Sequence, residues 1–254
     1  MHVMAVQPDI AWEDKSATFD RVDALLTASD IPIAGLIVLP EMFSTGFSMN
    51  VAATAEGRDG PTATYLGNLA RRTGCTILGG LVDDAGGGRG RNQAVWFGPD
   101  GCEGGRYTKM HSFTMAGEAE HYDAGDRVAT FALGGFTVAP LICYDLRFPE
   151  TFRAAVDAGA DLFVIIANWP AVRAEHWRAL LIARAIENQA YVVGVNRCGS
   201  DPDHAYAGGS LILDPHGVVL AEAADRPDTL AAPLDHAALA DYRRAFPVLE
   251  NIRR

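Results

Sequence analysis

Short apolar segments of strand length alternate with amphipathic segments of helix length along the 254-residue chain, and this alternation constrains the fold most strongly. Residues 161–167 form a nearly continuous apolar run, which is typical of a strand buried on both faces. A strong helical pattern follows at residues 174–189. The pair Gly134-Gly135 separates two other strand patterns and indicates an antiparallel hairpin. Together these patterns predict an α/β fold with mixed sheets that are covered by helices.

The predicted elements extend over most of the chain. Strands are expected at residues 2–7, 35–39, 75–82, 93–97, 128–133, 136–142, 161–167, 191–196, 209–213 and 218–221. Helices are expected at residues 15–28, 62–72, 149–158 and 174–189. The segment after residues 225–228 is too short for a second domain and is expected to be a tail. We therefore predict a single domain over residues 1–254.

The composition restricts the partners of the protein. The formal net charge of −11 and the pI of about 5.0 argue against a nucleic acid or an anionic membrane as a partner. No apolar run reaches the length of a membrane-spanning helix, and residues 1–7 are expected to form a strand, not a signal peptide. The four cysteines are widely spaced, so we expect neither a cysteine-based zinc site nor disulfides. The chain is predicted to be cytoplasmic and to act on a small molecule.

Three reactive side chains directly follow predicted strand segments. Cys143 ends the apolar run at 138–142, Glu41 follows the run at 36–40, and Lys109 follows residues 105–108. Open α/β sheets place their chemistry at the carboxyl ends of strands. The three residues are therefore candidates for the nucleophile, the base and the cation of one active site.

A glutamate, a lysine and a cysteine can hydrolyse an amide or a nitrile without a cofactor or a metal. A thiol is mostly protonated near neutral pH, and a nearby carboxylate can take its proton. The thiolate then attacks the carbon, while the ammonium and backbone N–H groups stabilise the oxyanion. The N–H of Tyr144, directly after Cys143, is a natural donor. The same carboxyl group can protonate the departing amine and later activate water.

The segments around these residues resemble the three catalytic motifs of the nitrilase (carbon–nitrogen hydrolase) superfamily. They are Leu-Pro-Glu-Met-Phe at 39–43, Tyr-Thr-Lys-Met-His at 107–111, and Ile-Cys-Tyr-Asp-Leu-Arg-Phe-Pro-Glu at 142–150. They occur in the order found in that superfamily, and the resemblance covers nearly the whole chain. It implies a four-layer α-β-β-α sandwich that pairs into homodimers or larger homo-oligomers.

The resemblance also implies roles for individual residues. Glu41 would be the general base and acid, Lys109 the cation at the oxyanion, and Cys143 the nucleophile that forms a thioester. A second glutamate usually lies between the lysine and the cysteine, ahead of a Gly-Asp pair. Glu118 matches its position better than Glu120, and both remain candidates for positioning the lysine and the substrate.

Finer features resemble the omega-amidase branch of the superfamily. They lie at residues 40–47, 115–122 and 168–170. Members of this branch hydrolyse the terminal amide of 2-oxoglutaramate or 2-oxosuccinamate, and bacterial members are linked to methionine salvage. Other branches act on N-carbamoyl compounds, aliphatic amides, nitriles or deaminated glutathione, and these activities remain alternatives.

A short oxo-dicarboxylate monoamide needs a compact apolar wall and a cation for its carboxylate. Phe43, Phe113 and Trp169 are candidates for the wall, and Arg147 and Arg173 are candidates for the cation. Phe43 and Trp169 could equally be core aromatic residues.

Two further alternatives concern charged residues near the motifs. Arg147 could pair with Asp145 or Glu150 instead of binding substrate. His111 and His121 flank the lysine motif and invite a Cys–His mechanism, but the resemblance supplies a glutamate as base, so both are expected to be loop or supporting residues. A catalytically silent scaffold would be expected to lack part of the Glu–Lys–Cys set, which is intact in this sequence.

Overall fold

The computed structural model describes residues 1–252, which form two large sheets, one small hairpin and the helices around them. The strands are β1 His2–Gln7, β2 Leu36–Val38, β3 Thr76–Gly86, β4 Arg89–Phe97, β5 Glu103–Thr108, β6 Phe131–Leu133, β7 Phe136–Ile142, β8 Leu162–Ala167, β9 Tyr191–Asn196, β10 Cys198–Ser200, β11 Ala205–Ala207, β12 Leu211–Leu213, β13 Val219–Glu222 and β14 Asp228–Pro233. The α-helices are α1 Lys15–Thr27, α2 Val51–Thr54, α3 Pro61–Thr73, α4 Glu118–His121, α5 Pro149–Asp157, α6 Ala174–Asn188 and α7 His236–Ala245. Short 3₁₀ turns lie at Thr114–Ala116, Cys143–Arg147, Ala171–Arg173 and Val248–Asn251.

Each large sheet has six strands and mixed pairing. The first has the order β14-β1-β2-β3-β4-β5 and the second has the order β13-β12-β9-β8-β7-β6. The central strands β1, β2 and β3 run parallel, as do β7, β8 and β9, whereas the flanking pairs are antiparallel. The predicted α/β fold with mixed sheets is confirmed, and the strands with the longest apolar runs lie at the centre of each sheet.

The sheets face each other, and helices cover their outer faces. Along β1, Val3 and Ala5 belong to the core shared with the second sheet, whereas Met4 and Val6 pack with α1 and α3. This alternation follows from the two-residue period of a strand. Helices α5 and α6 pack on the outer face of the second sheet. The result is the four-layer α-β-β-α sandwich that the resemblance implied.

The segment after residue 225 is more structured than the expected tail. Strand β14 pairs antiparallel with β1, from His2 opposite Pro233 to Gln7 opposite Asp228, and α7 follows. Sequence reasoning missed β14 because this edge strand is only partly buried and its Asp-Thr-Leu-Ala-Ala-Pro sequence carries a weak strand signal. Within residues 1–252, no helix has both the length and the apolar character needed to cross a membrane.

Candidate active site

Glu41 lies in a tight turn directly after β2, and the neighbouring strand β3 fixes that turn. Gly80 of β3 donates its N–H to Pro40 O at 3.0 Å and accepts from Phe43 N at 3.1 Å. A Cβ atom on Gly80 would lie 2.4 Å from Met42 N and 2.6 Å from Glu41 Cα. Only glycine therefore allows the turn to approach β3 this closely, and the Glu41 side chain is fully buried as a result.

Lys109 follows β5 and meets two carboxylates. Its Nζ donates to Glu41 Oε1 at 3.0 Å and to Glu118 Oε1 and Oε2 at 3.0 and 2.9 Å. Burial by itself would lower the pKa of Lys109, but the negative charges of Glu41 and Glu118 outweigh it and raise that pKa above its ordinary value. The lysine is therefore held as an ammonium ion between two carboxylates.

Asn92 on β4 joins the two glutamates. Its Nδ2 donates to Glu41 Oε1 at 2.7 Å and to Glu118 Oε1 at 3.0 Å. Phe113 N donates to Glu118 Oε2 at 2.6 Å, which holds the carboxylate from the other side. Glu120 is exposed on the short helix α4, so the geometry places Glu118, not Glu120, against the lysine.

Cys143 begins a 3₁₀ turn at the end of β7 and has a left-handed backbone conformation, with φ of 45°. The buried carboxylate of Asp145 holds this turn in place. It accepts from Ile142 N at 3.0 Å, from Tyr107 OH at 2.8 Å and from His111 N at 3.0 Å. Asp145 thus ties the turn to the segment that carries Lys109 and keeps the thiol at the strand end in a conformation that non-glycine residues rarely adopt.

The electrostatic setting keeps the thiol protonated. Burial and then the charge of Glu41 raise the pKa of Cys143 well above its ordinary value, and the positive charge of Lys109 only partly opposes them. A protonated thiol needs a base to react, and the carboxylate that acts most strongly on this thiol is that of Glu41. The arrangement can therefore support proton transfer from thiol to carboxylate as an acyl carbon is attacked.

A pocket of about 460 Å³, including its open mouth, lies above these residues. Lys109, Cys143, Tyr144 and Asn168 form part of its wall. The aromatic lining beyond Tyr144 consists of Phe47, Phe113, Trp169 and Tyr206, and the basic lining beyond Lys109 consists of Arg147, Arg173 and His204.

Aromatic rings support the two guanidinium groups of the pocket. Arg147 lies 4.8 Å from the Trp169 ring centroid, and Arg173 lies 5.5 Å from that of Phe113. Trp169 Nε1 also donates to Arg173 O at 2.8 Å. Arg147 Nη2 also lies 3.4 Å from His176 Nδ1, and a guanidinium group over a ring can direct its other N–H donors to a carboxylate.

The sequence profile of the carbon-nitrogen hydrolase family matches residues 2–244. The chain belongs to this family. The omega-amidase YafV of Yersinia enterocolitica is 41% identical, with 97% of this chain and 94% of that protein covered. The 2-oxoglutaramate amidase of Bacillus subtilis is 34% identical, with 99% and 97% covered.

A solved member of the superfamily confirms the fold of this carbon-nitrogen hydrolase. It is the crystal structure of a Xanthomonas campestris protein that carries an arsenic adduct in its active site. Its TM-score to this chain is 0.93 at 34% identity, with 100% of this chain and 98% of that chain covered.

Phe43 is the one candidate substrate residue that the structure removes from the pocket. Its ring is fully buried in the core between the first sheet and its helices, 6.0 Å from the ring centroids of both Phe19 and Tyr65. The turn at Glu41 points consecutive side chains in different directions, so Glu41 faces the second sheet while Phe43 faces the outer helices. The alternative of a core aromatic residue holds for Phe43, whereas Trp169 lines the pocket.

The basic residues near the motifs divide in the same way. Arg147 lines the pocket. The carboxylate of Asp145, which was one possible partner for Arg147, is bonded to Ile142 N and Tyr107 OH and holds the Cys143 turn. His111 Nδ1 lies 2.8 Å from Asp145 Oδ1 and its ring stacks on Phe148, so it supports the turn. His121 ends helix α4 and does not line the pocket.

Sequence reasoning assigned no role to several residues that complete the site. Asn92 and Asn168 both donate to Glu41, and Phe47, His204 and Tyr206 line the pocket. An asparagine in a buried strand segment was the available signal for Asn92, since an amide there requires partners. His204 and Tyr206 come from the small β10–β11 hairpin, which the pattern of apolar residues did not indicate.

Proposed function

We propose that the protein is an omega-amidase that converts 2-oxoglutaramate or 2-oxosuccinamate to the 2-oxo dicarboxylate and ammonia. The observation that carries the proposal is the near full-length similarity to an omega-amidase and a 2-oxoglutaramate amidase. The pocket supports it, because a half-buried thiol and a buried ammonium lie in its wall beside two guanidinium groups and aromatic rings. The ammonium is paired with two buried carboxylates beneath the pocket. The family profile, which matches residues 2–244, supports a single domain over residues 1–254.

In the proposed first half-reaction, Glu41 takes the thiol proton as Cys143 Sγ attacks the amide carbon. A C–S bond forms and the carbonyl oxygen becomes an oxyanion, which Lys109 Nζ and the N–H of Tyr144 stabilise. Glu41 then gives the proton to the amide nitrogen, the C–N bond breaks and ammonia leaves. A thioester with Cys143 remains. The role of Glu118 is to hold the ammonium group of Lys109, to which both of its oxygens are bonded.

In the second half-reaction, Glu41 takes a proton from water as the water oxygen attacks the thioester carbon. The C–S bond breaks, the proton returns from Glu41 to Sγ, and the dicarboxylate leaves. The carboxylate thus acts as base, acid and base again. These steps use only the side chains and backbone of this chain.

The two guanidinium groups are proposed to bind the distal carboxylate of the substrate. Arg147 and Arg173 both line the pocket and are each held over an aromatic ring, Trp169 and Phe113 respectively. The same rings can contact the short methylene chain. A carboxylate between two guanidinium groups forms charge-assisted hydrogen bonds, which are the stronger kind.

Ammonia release from a substrate panel tests the proposed activity. The panel contains 2-oxoglutaramate, 2-oxosuccinamate, glutamine, an N-carbamoyl amino acid and an aliphatic nitrile, with Cys143→Ala beside wild type. Fast release from the oxo-amides that is lost in Cys143→Ala, with little from glutamine, is expected. Release only from another member of the panel would move the protein to another branch of the family.

We also propose that the protein forms a homodimer or a larger homo-oligomer. Ile186 on α6 and Val218 in the turn after β12 are 49% and 56% exposed, and Ile186 packs directly against Gly217. This apolar surface on the outer layer is suited to pairing. Sedimentation of wild type beside Ile186→Glu tests it, and a monomeric wild type would contradict it.

Hydrolysis of a 2-oxo amide would remove the product of glutamine-dependent transamination, which agrees with the salvage role implied by the resemblance.

A further inference from the structure

The two carboxylate oxygens of Glu41 have different environments. Oε1 accepts from Asn92 Nδ2 at 2.7 Å and from Lys109 Nζ at 3.0 Å. Oε2 accepts from Asn168 N at 2.8 Å, and Asn168 Nδ2 lies farther away at 3.4 Å. A carboxylate oxygen has two lone pairs, so both lone pairs of Oε1 are occupied and one on Oε2 is only weakly engaged.

Asn168 contacts both this oxygen and the nucleophile. It follows β8, is 4% exposed and lines the pocket, and its backbone O lies 3.9 Å from Cys143 Sγ. Its Nδ2 donates to Glu41 O at 2.7 Å, so the side chain binds the backbone of the base while its own N–H binds the carboxylate. Both acceptors of Nδ2 belong to Glu41, which fixes the orientation of the amide.

The next residues hold Asn168 in place. Asn196 on β9 accepts from Trp169 N at 2.7 Å and donates to Trp169 O at 3.0 Å. The peptide after Asn168 is therefore anchored to the neighbouring strand. Asn168, at the end of a strand of the second sheet, thus reaches across to Glu41, at the end of a strand of the first sheet.

We propose that Oε2 of Glu41 carries the proton in every transfer of the reaction, and that Asn168 is the positioning residue that presents this oxygen to Cys143. A proton placed on Oε1 would have to displace a hydrogen bond from Lys109 or Asn92, whereas one placed on Oε2 displaces only the long contact. The inference rests on the proposed amide hydrolysis, in which one carboxylate serves three proton transfers. Asn168 Nδ2 keeps its bond to Glu41 O throughout.

The pH dependence of Asn168→Asp tests this assignment. A protonated aspartic acid can donate to Glu41 O as the amide does, whereas the ionised form repels the carboxylate of Glu41. At pH 8 we expect kcat to fall by about 10²-fold, and the deficit relative to wild type to shrink by at least about tenfold by pH 5. Asn168→Ala should lose a similar factor at every pH, with KM changed by less than about threefold.

Two controls separate positioning from a general structural effect. Asn188→Asp makes the same change at an equally buried asparagine on α6, whose Nδ2 donates to Arg184 O, and should give a pH profile parallel to wild type. Circular dichroism checks that each variant is folded. Alkylation of Cys143 by iodoacetamide, in which an S–C bond forms, iodide leaves and Glu41 takes the thiol proton, provides a readout that needs no amide substrate.

The alkylation rate of Asn168→Asp should also recover towards wild type as the pH falls. This pattern would support the assignment even if the oxo-amides were not hydrolysed, and only the proposed substrate would then fail. The assignment is overturned if Asn168→Asp follows the pH profile of Asn188→Asp in both assays, or if a rise in KM accounts for the loss of activity.

Discussion

The floor beneath the pocket and the rim around it stabilise their charged side chains in different ways. The floor is the buried group beneath the pocket, Glu41, Lys109, Glu118 and Asn92, of which Lys109 reaches the pocket wall. All four are at most 2% exposed, and the carboxylates and the ammonium are bonded to one another. The rim consists of Arg147, Arg173 and His204, which are only partly buried or exposed. Aromatic rings, not carboxylates, support the two arginines of the rim.

This difference predicts how strongly substitutions in each region affect activity. A buried charge that loses its partner is left without compensation, so changes in the floor should be severe and should affect the chemical steps. A charge at the rim is screened by solvent, so changes there should be smaller and should affect substrate binding. Substitutions in the two regions should therefore differ in both the size and the kind of their effect.

Removal of the nucleophile above the floor should have the largest effect. Cys143→Ala should lower kcat by at least about 10⁴-fold, because no other group can form the thioester. Its thermal unfolding should stay close to that of wild type. Cys102→Ala, at an exposed thiol outside the pocket, is the matched control and should keep full activity. Substantial turnover in Cys143→Ala would exclude Cys143 as the nucleophile.

Loss of the base should slow both half-reactions. Glu41→Gln keeps the shape of the side chain but cannot take a proton, so we expect ammonia release and thioester hydrolysis each to fall by about 10²- to 10⁴-fold. Rapid quenching of a single turnover measures the two steps separately. Glu120→Gln, on the exposed face of α4, should behave as wild type. A normal burst of ammonia in Glu41→Gln would contradict the dual role.

The contribution of the Glu41 turn can be tested by a substitution that changes no charged residue. Gly80→Ala places a methyl group against Met42 N and Glu41 Cα, so it should displace the Glu41 turn and lower the free energy of unfolding by about 1–3 kcal/mol. Activity should fall with it. At Gly57 nothing lies within 4 Å of an added Cβ, and Gly57→Ala should change neither quantity. Chemical denaturation with an activity assay compares the two variants.

A change at the rim should move KM and spare kcat. Arg147→Met keeps a long apolar side chain on Trp169 but removes the charge, so KM for 2-oxoglutaramate should rise by about 10- to 100-fold with kcat within about threefold. Arg178→Met removes a guanidinium group that pairs with Glu222 outside the pocket, and should change neither constant. If kcat fell by as large a factor as KM rose in Arg147→Met, the residue would act in the chemical steps and not only in substrate binding.

Chelation should have the smallest effect. Within residues 1–252, no group of three or more His, Cys, Asp or Glu side chains is arranged to hold a metal ion. The rate in EDTA should therefore equal the rate without it. An EDTA-sensitive rate that zinc or another divalent ion restores would contradict the proposed mechanism.

The reactive residues were more predictable from the sequence than the asparagines that hold the base in place. Glu41 and Cys143 follow apolar runs that locate strand ends, and the resemblance to the three catalytic motifs assigned roles to these residues and to Lys109. Asn92 and Asn168 act through contacts between residues far apart in the chain, which periodicity does not encode.

The incorrect and missed assignments have physical reasons of the same kind. Phe43 was considered for the substrate wall because it follows Glu41 closely, but the tight turn sends its ring into the core. Strand β14 lies at the edge of the first sheet, and β10 and β11 are three-residue strands of a separate hairpin, so few of their residues are buried. Their positions depend on tertiary pairing, not on local preference.

The pairing of β14 with β1 has a consequence for synthesis on the ribosome. The hydrogen bond from the amino group of Met1 to Leu234 O joins residues 233 positions apart, and β14 covers one edge of β1 along its whole length. That edge has no strand beside it until residues 228–233 have been made. Exposed strand edges template aggregation, and such distant pairings form slowly. Chains that are released before residue 228 would therefore be expected to carry an open sheet edge, and to be removed by proteases or chaperones instead of accumulating as partly active enzyme.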